Sequence, residues 1–164
     1  MPFASPWGGR ITEEDVDTII EAYLKVGITE ISLSDTSGMA VPNQVYNLCC
    51  HIKEKCPQAT WWLPFHNTRG LAMANIMAAM EAGMDRFDSS FGGLGGCPFV
   101  PGAAGNISTE DVLHLCEGSG IAIGINISKI ICLCSKLKEL LNHDMDSYIL
   151  RAGRSCDLIQ SNQD

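Results

Sequence analysis

The ends of the predicted strands recur at a nearly constant interval along the chain. Three segments with strand-like alternation end in polar, turn-forming residues at Asp35, His66 and Gly92, at intervals of 31 and 26 residues. An interval of this length holds one helix and one strand, and a helical pattern lies between each pair of strands. Parallel strands need crossovers of this length, which are right-handed in nearly all proteins. The spacing therefore predicts an α/β fold with a parallel sheet.

The same patterns set the boundaries of the predicted elements. Helices begin at capping residues or a proline and end near glycine or proline, and strands show apolar alternation. The predicted strands are 30–34, 60–65 and 85–91, with a short fourth near 106, and the predicted helices lie between 12 and 27, 42 and 57, 71 and 83, after 108, and from 127 to 141. We expect residues 1–150 to form one partial barrel domain and the polar tail 151–164 to fray.

Two arrangements of a parallel sheet fit this order of elements. Polar residues gather where the strands end, as in a (β/α)8 barrel, in which the chemistry lies at the carboxyl ends of the strands. An open doubly wound sheet is the alternative, but no GxGxxG motif follows a first strand. A complete barrel needs roughly 200–250 residues, whereas this chain has 164. We therefore predict an α/β fold that is a partial (β/α)8 TIM barrel.

Half a barrel has two unpaired sheet edges and an exposed inner face. Unpaired edges and large apolar patches favour association with other chains. We therefore expect a homo-oligomer, or a protein whose N-terminal half-barrel is missing from this chain.

Charge and composition exclude two classes of partner. The chain has 19 acidic and 11 basic side chains, a net charge of −8 and no cluster of Lys and Arg, which argues against nucleic acid. No window has the roughly 18 apolar residues of a membrane span, and no apolar secretory segment is visible. The eight cysteines include no CxxC pair, which favours free thiols over disulfides or a zinc site. We expect a cytoplasmic protein, or a mitochondrial-matrix one if the full-length protein is eukaryotic.

Four side chains near the predicted strand ends are candidates for chemistry. Asp35 could orient a substrate or a metal-bound water, or could simply close a turn. His66 could be a metal ligand or general base, or could bond to loop backbone. Cys97 lies between glycine and proline, which predicts an accessible thiol, reactive or inert. Asn106 offers an amide oxygen to a hard cation, with loop capping as the alternative.

The loop from Gly92 to Asn106 is unusual in length and composition. It contains six glycines in fifteen residues. Glycine permits a close approach between backbone and ligand, and loops longer than about 12 residues are uncommon unless they are functional. No Gly-Lys-Ser/Thr follows, which excludes a Walker phosphate loop. We predict a functional loop or lid.

These segments together resemble the hydroxymethylglutaryl-CoA lyase family. The run from Ser90 to Asn106 is the most specific part of the resemblance. The segments 30–38 and 66–70 resemble strand ends shared by the wider superfamily of metallolyases, condensing enzymes and carboxyltransferases. The similarity extends from Phe3 to about Leu141 and corresponds to the C-terminal half of a family barrel.

The resemblance implies a metal-dependent carbon–carbon lyase with an acyl-CoA substrate. The family cleaves 3-hydroxy-3-methylglutaryl-CoA to acetyl-CoA and acetoacetate, a step of ketone body formation and leucine degradation. A divalent cation, Mg²⁺ or Mn²⁺, serves as Lewis acid. The resemblance places His66 and Asn106 among the metal ligands, Cys97 in proton transfer, and Asp35 at an acidic position near the site.

The chain departs from the family pattern at three places. Pro64 stands where the family has the first histidine of an HxH pair, and Asn67 stands where it has an aspartate. The arginine and metal-binding aspartate of the first family strand lie outside this chain. Three hypotheses therefore stay open. They are an active lyase on this or a close acyl-CoA, a truncated or decayed non-catalytic homologue, and another superfamily member such as a 2-isopropylmalate-synthase-like condensing enzyme or a biotin-dependent carboxyltransferase.

Overall fold

The computed structural model describes residues 2–98 and 100–157. These residues form two compact units, unit 1 (2–90 and 95–107) and unit 2 (91–94 and 108–157). The helices are α1 (Glu13–Lys25), α2 (Pro42–Lys55), α3 (Ala72–Glu81), α4 (Thr109–Gly118), α5 (Ile127–Leu141) and α6 (Tyr148–Ala152). The strands are β1 (Glu30–Ser32), β2 (Thr60–Pro64) and β3 (Phe87–Asp88).

Unit 1 is built on a parallel sheet with the strand order β1-β2-β3. Ile31 of β1 pairs with Trp61 of β2, and Leu63 of β2 pairs with Phe87 of β3. A helix separates each pair of strands along the chain, so the predicted parallel α/β arrangement is confirmed. The core contains these fully buried apolar side chains: Phe65, Ile52, Leu63, Ile76, Val45 and Cys49.

All three strands are shorter than the predicted segments 30–34, 60–65 and 85–91. Between β1 and β2 the cause is Pro64. The amide of Leu33 donates to the Trp62 carbonyl at 2.8 Å, and that of Asp35 donates to the Pro64 carbonyl at 3.0 Å. In a parallel ladder the bond between these two would be donated by residue 64, and proline has no N–H. The regular ladder therefore stops at Ser32, although the two chains stay side by side.

Helix α1 begins with the predicted cap. The Thr12 hydroxyl accepts from the Asp15 amide at 3.2 Å, and the Asp15 carboxylate accepts from the Thr12 amide at 2.9 Å. This reciprocal pair satisfies two of the amides that a helix start leaves without partners. Helix α1 then contacts α2 through Asp17, whose carboxylate lies 2.9 Å from His51 Nε2. This side-chain contact joins the two helices.

Unit 2 consists of α4, α5 and α6 around the short turn Phe91–Gly93. Helix α5 has the bounds that were predicted for it. The short helix α6 was not predicted, and its last two residues, Arg151 and Ala152, fall in the segment expected to fray. Asp111 of α4 binds the start of this helix, a long-range contact that no local pattern reveals. Residues 158–164 of the predicted tail lie outside the described residues.

Two expectations from composition can be compared with the structure. Each of the eight cysteines lies in the described residues and is a free thiol. Within the described part of the chain, no helix has both the length and the apolar character needed to cross a bilayer.

Candidate functional site

Asp35 lies just beyond β1 and is only 1% exposed. Its two carboxylate oxygens accept hydrogen bonds from the amides of Met39 at 3.0 Å and Ala40 at 3.2 Å. Burial raises the pKa of Asp35 to about 6, although these hydrogen bonds and the charge of Arg69 oppose the rise. The carboxylate thus closes the turn that leads into α2, and its predicted part in catalysis stays a prediction.

The raised pKa of Asp35 has a consequence for stability. The folded chain holds this proton more tightly than the unfolded chain, so the stabilising effect of protonation is present below pH 3.8 and lost as the pH rises to about 6. We expect the free energy of unfolding of the wild type to fall over this window, relative to Asp35→Asn, by on the order of 3 kcal/mol. Urea unfolding at a series of pH values measures it. Parallel profiles for the two proteins would contradict this expectation.

His66 lies two residues beyond the end of β2, with its imidazole partly buried. Burial lowers the pKa of His66, and hydrogen bonds with the backbone of Thr36 and Ala104 only partly offset this effect. The imidazole is therefore neutral near pH 7. Its Nδ1 atom is buried and has no hydrogen-bond partner. Because buried polar atoms are nearly always paired, this nitrogen is suited to an external ligand.

Asn106 lies opposite His66. The two residues form an antiparallel bridge, and the neighbouring amide of Asn67 donates to the Gly105 carbonyl at 3.2 Å. The amide of Ile107 continues the contact by donating to the Phe65 carbonyl at 3.1 Å. Like His66 Nδ1, the Oδ1 atom of Asn106 is buried without a partner. The end of the glycine-rich loop thus places a second atom without a hydrogen-bond partner, an amide oxygen that a cation can bind, beside the end of β2.

Cys97 lies in the same loop, and its side chain is partly exposed. The preceding residue, Gly96, forms an antiparallel bridge with Ala104. The amide of Ala104 in turn donates to the Thr68 hydroxyl at 3.2 Å. These contacts hold the base of the Cys97 loop against the residues that follow His66. The predicted loop therefore folds back onto the strand end rather than extending away from it.

Thr68 and Arg69 tie the strand-end loops together, and neither was among the four candidate residues. The Arg69 guanidinium donates to the Ser37 carbonyl at 2.8 Å. Gly38 has a φ of +61°, and a Cβ atom there would lie 2.7 Å from the Cβ of Thr68. Only glycine allows this approach. Their position directly after His66, at a strand end, was the one signal that could have pointed to them.

A divalent cation fits part of this arrangement. The neutral imidazole of His66 and the amide oxygen of Asn106 are ligands that Mg²⁺ or Mn²⁺ accepts, and both have an atom without a partner. Pro64 supplies no ligand. No group of three or more His, Cys, Asp or Glu side chains suited to a metal occurs within residues 2–98 and 100–157. The described chain thus offers two ligands, and the remaining positions would need water, substrate or another polypeptide.

The amino-acid sequence of this chain matches a known protein family. A family model described as HMGL-like matches residues 1–136. The chain belongs to the HMGL-like family. The (R)-citramalyl-CoA lyase of Chloroflexus aurantiacus is 42% identical to this HMGL-like chain over 151 residues, which are 92% of this chain and 48% of the relative. The human mitochondrial hydroxymethylglutaryl-CoA lyase is 34% identical over 147 residues, with 90% and 45% covered.

A solved structure extends the similarity to the fold. An HMG-CoA lyase from Acinetobacter baumannii, in complex with coenzyme A and 3-methylmalate, matches this HMGL-like chain with a TM-score of 0.90 and 47% identity. The match covers 96% of this chain and 52% of that one. The predicted partial TIM barrel and the resemblance to the lyase family are both confirmed. The HMGL-like chain spans about half the length of the relatives it matches.

Proposed function

We propose that this HMGL-like chain supplies half of the active site of a metal-dependent carbon–carbon lyase acting on a 3-hydroxyacyl-CoA. The observation that carries the proposal is the pair of buried, unpartnered atoms, His66 Nδ1 and Asn106 Oδ1, at the carboxyl end of β2. Family membership and the relatives named as lyases support it. The chain offers these two residues to the cation, which when bound would act as a Lewis acid on substrate oxygens.

The proposed reaction is a retro-aldol cleavage. The hydroxyl proton leaves, the C2–C3 bond breaks, and its electron pair passes into the thioester as an enolate. A proton delivered to C2 then completes the CoA product. Cys97 is the residue of this chain that we assign to proton transfer at C2, because its thiol is partly exposed in a loop held beside His66.

The identity of the acyl group is a separate question. The resemblance implies 3-hydroxy-3-methylglutaryl-CoA, whereas one relative is named a citramalyl-CoA lyase and is 42% identical. Both names denote CoA thioesters of branched hydroxy acids. A panel of the two substrates, with detection of the acetyl-CoA and the keto acid that cleavage releases, distinguishes them. A cavity of about 730 Å³ lies between the N-terminal segment and α2, and none of the four candidate residues lines it.

Replacing Cys97 by serine tests the mechanism. In native protein purified together with any polypeptide that accompanies it, we expect Mn²⁺-dependent cleavage, and about a 100-fold or greater loss in Cys97→Ser, because the alcohol is a much weaker acid. Cys132→Ser, at an exposed cysteine of α5, is the matched control and should keep full activity. Equal rates for the Cys97 variant and wild type would remove Cys97 from the mechanism.

Pro64 favours a second candidate function, a non-catalytic homologue. A missing ligand beside His66 weakens any cation site. This hypothesis expects no cleavage of either substrate by the native protein and no Mn²⁺ binding. Tight binding of Mn²⁺ would rule it out.

A further inference from the structure

The start of the glycine-rich loop is covered by the segment that leads into α6. Gly92 has a φ of +61°, a conformation that glycine adopts more readily than any other residue. A Cβ atom at Gly92 would lie 2.9 Å from the Cγ atom of Met145 and 3.1 Å from its Cβ atom. The Met145 side chain therefore lies directly on the Gly92 backbone, and a larger residue at position 92 would displace it.

The backbone of Asp146 contacts Gly92 and the glycine that follows it. The amide of Asp146 donates to the Gly92 carbonyl at 2.8 Å. Its carbonyl oxygen lies so close to Gly93 that a Cβ atom there would be only 2.6 Å away. These contacts lie within unit 2 and join residues that are far apart in sequence. The segment before α6 thus contacts the loop start through both its backbone and a side chain.

Helix α4 holds both partners of this contact. The amide of Gly92 donates to Oε2 of Glu110, a fully buried carboxylate, at 3.2 Å. The next residue, Asp111, accepts from the Ser147 hydroxyl at 3.0 Å. Neighbouring carboxylates of one helix therefore bind the loop start and the segment that covers it. Because both carboxylates are buried, water competes little for these hydrogen bonds.

The covered loop start lies close to Cys97 along the chain. The amide of Leu94 donates to the Phe91 carbonyl at 3.1 Å and closes the turn, and Cys97 follows three residues later. Because an extended chain spans at most about 3.6 Å per residue, the position of this turn restricts the positions that Cys97 can reach. The family model ends at residue 136, so Met145 lies outside the matched part of the chain.

We propose that Met145 and the backbone of Asp146 position the start of the loop that carries Cys97. Met145 is a positioning residue, because it acts through Gly92 and not on the substrate. Without this side chain the loop start samples more conformations, and the Cys97 thiol spends less time in the arrangement that proton transfer needs. The consequence for catalysis rests on the proposed function, whereas the packing of Met145 on the loop start does not.

Met145→Ala tests the proposal in the native protein, with any polypeptide that accompanies it. We expect iodoacetamide to alkylate Cys97 about fivefold faster or more than in the wild type, because a looser loop exposes the thiol more often. Peptide mass spectrometry measures this rate, with the exposed Cys132 of α5 as internal reference. The amides of residues 91–94 should also exchange hydrogen faster. Met145→Leu restores a side chain of similar volume and should return both measurements to the wild-type values.

Gly92→Ala tests the same contact from the loop. Its methyl group would meet the Met145 side chain and displace it, so this variant should also speed the alkylation of Cys97. Met145→Ala makes room for the methyl group. The double variant should therefore show a smaller acceleration than the product of the two single effects. An acceleration equal to that product would show that the two residues act independently, which would overturn the proposal.

Met77→Ala is the matched control. Met77 is 45% exposed on α3 of unit 1, and its variant should leave the alkylation of Cys97 unchanged. In cleavage assays, Met145→Ala should lower kcat about tenfold and change KM less than about twofold, because the loop position affects the reacting geometry. Unchanged alkylation in Met145→Ala, or faster exchange throughout α4 and α5 as well as the loop start, would overturn the proposal. Absent cleavage together with the expected alkylation and exchange contradicts the proposed function alone.

Discussion

Replacing His66 with alanine is expected to weaken Mn²⁺ binding by the native protein about 100-fold or more. The imidazole contributes one of the two unpartnered donor atoms at the end of β2, and its lowered pKa leaves it unprotonated at neutral pH. Alanine offers no ligand, and a carboxamide oxygen from Asn106 alone binds a hard cation weakly. Electron paramagnetic resonance of free Mn²⁺ measures the affinity without any need for catalysis.

The control for this experiment is His143→Ala. His143 is exposed in unit 2 and should not affect Mn²⁺ affinity. Asn106→Ala should also weaken Mn²⁺ binding, because the Oδ1 atom of Asn106 is the second proposed metal ligand. Full Mn²⁺ affinity in both site variants would show that the cation lies elsewhere, and the proposed function would lose the observation that carries it.

Replacing Asp111 with alanine is expected to destabilise unit 2 by about 3 kcal/mol or more. The carboxylate is 4% exposed and accepts from the Ser147 hydroxyl at 3.0 Å and from the amides of Tyr148 at 3.1 Å and Ile149 at 2.8 Å. Removing it leaves three donors without their acceptor at the start of α6. Hydrogen exchange of the α6 amides and urea unfolding report the loss.

Two further substitutions sharpen this expectation. Asp144→Ala removes an exposed carboxylate that pairs with Lys138 at 2.9 Å, and surface pairs of this kind contribute little, so exchange in α6 should not change. Asp111→Asn retains one carbonyl acceptor and should fall between wild type and alanine. Unchanged protection of α6 in Asp111→Ala would show that packing, rather than this carboxylate, holds the helix.

Local patterns predicted most of the helices and the order of the strands. The alternating and helical periods are properties of neighbouring residues, and the cap at Thr12 depends on Asp15, three residues further along the chain. The predicted strands were too long. For β1 the reason is that the regular ladder of hydrogen bonds ends where the neighbouring strand has no N–H to donate. The partner residue that ends the β1 ladder, Pro64, lies about thirty positions along the chain.

The site was predicted in part. The sequence placed Asp35, His66, Cys97 and Asn106 near strand ends, and an antiparallel bridge brings His66 and Asn106 opposite each other. The sequence left open whether Asp35 takes part in catalysis or closes a turn. In the structure, its carboxylate accepts hydrogen bonds from two backbone amides of a turn. Burial and pairing decide this difference, and neither is visible in the residue type.

The order of elements, the family and the candidate residues can thus be read from the chain, because periodicity, capping and motif spacing are encoded over short separations. Two findings required the tertiary structure. They are the unpartnered atoms of His66 and Asn106 and the Asp111 carboxylate that holds α6. Each depends on contacts between residues far apart in sequence, and only the folded chain determines which polar groups and edges find partners.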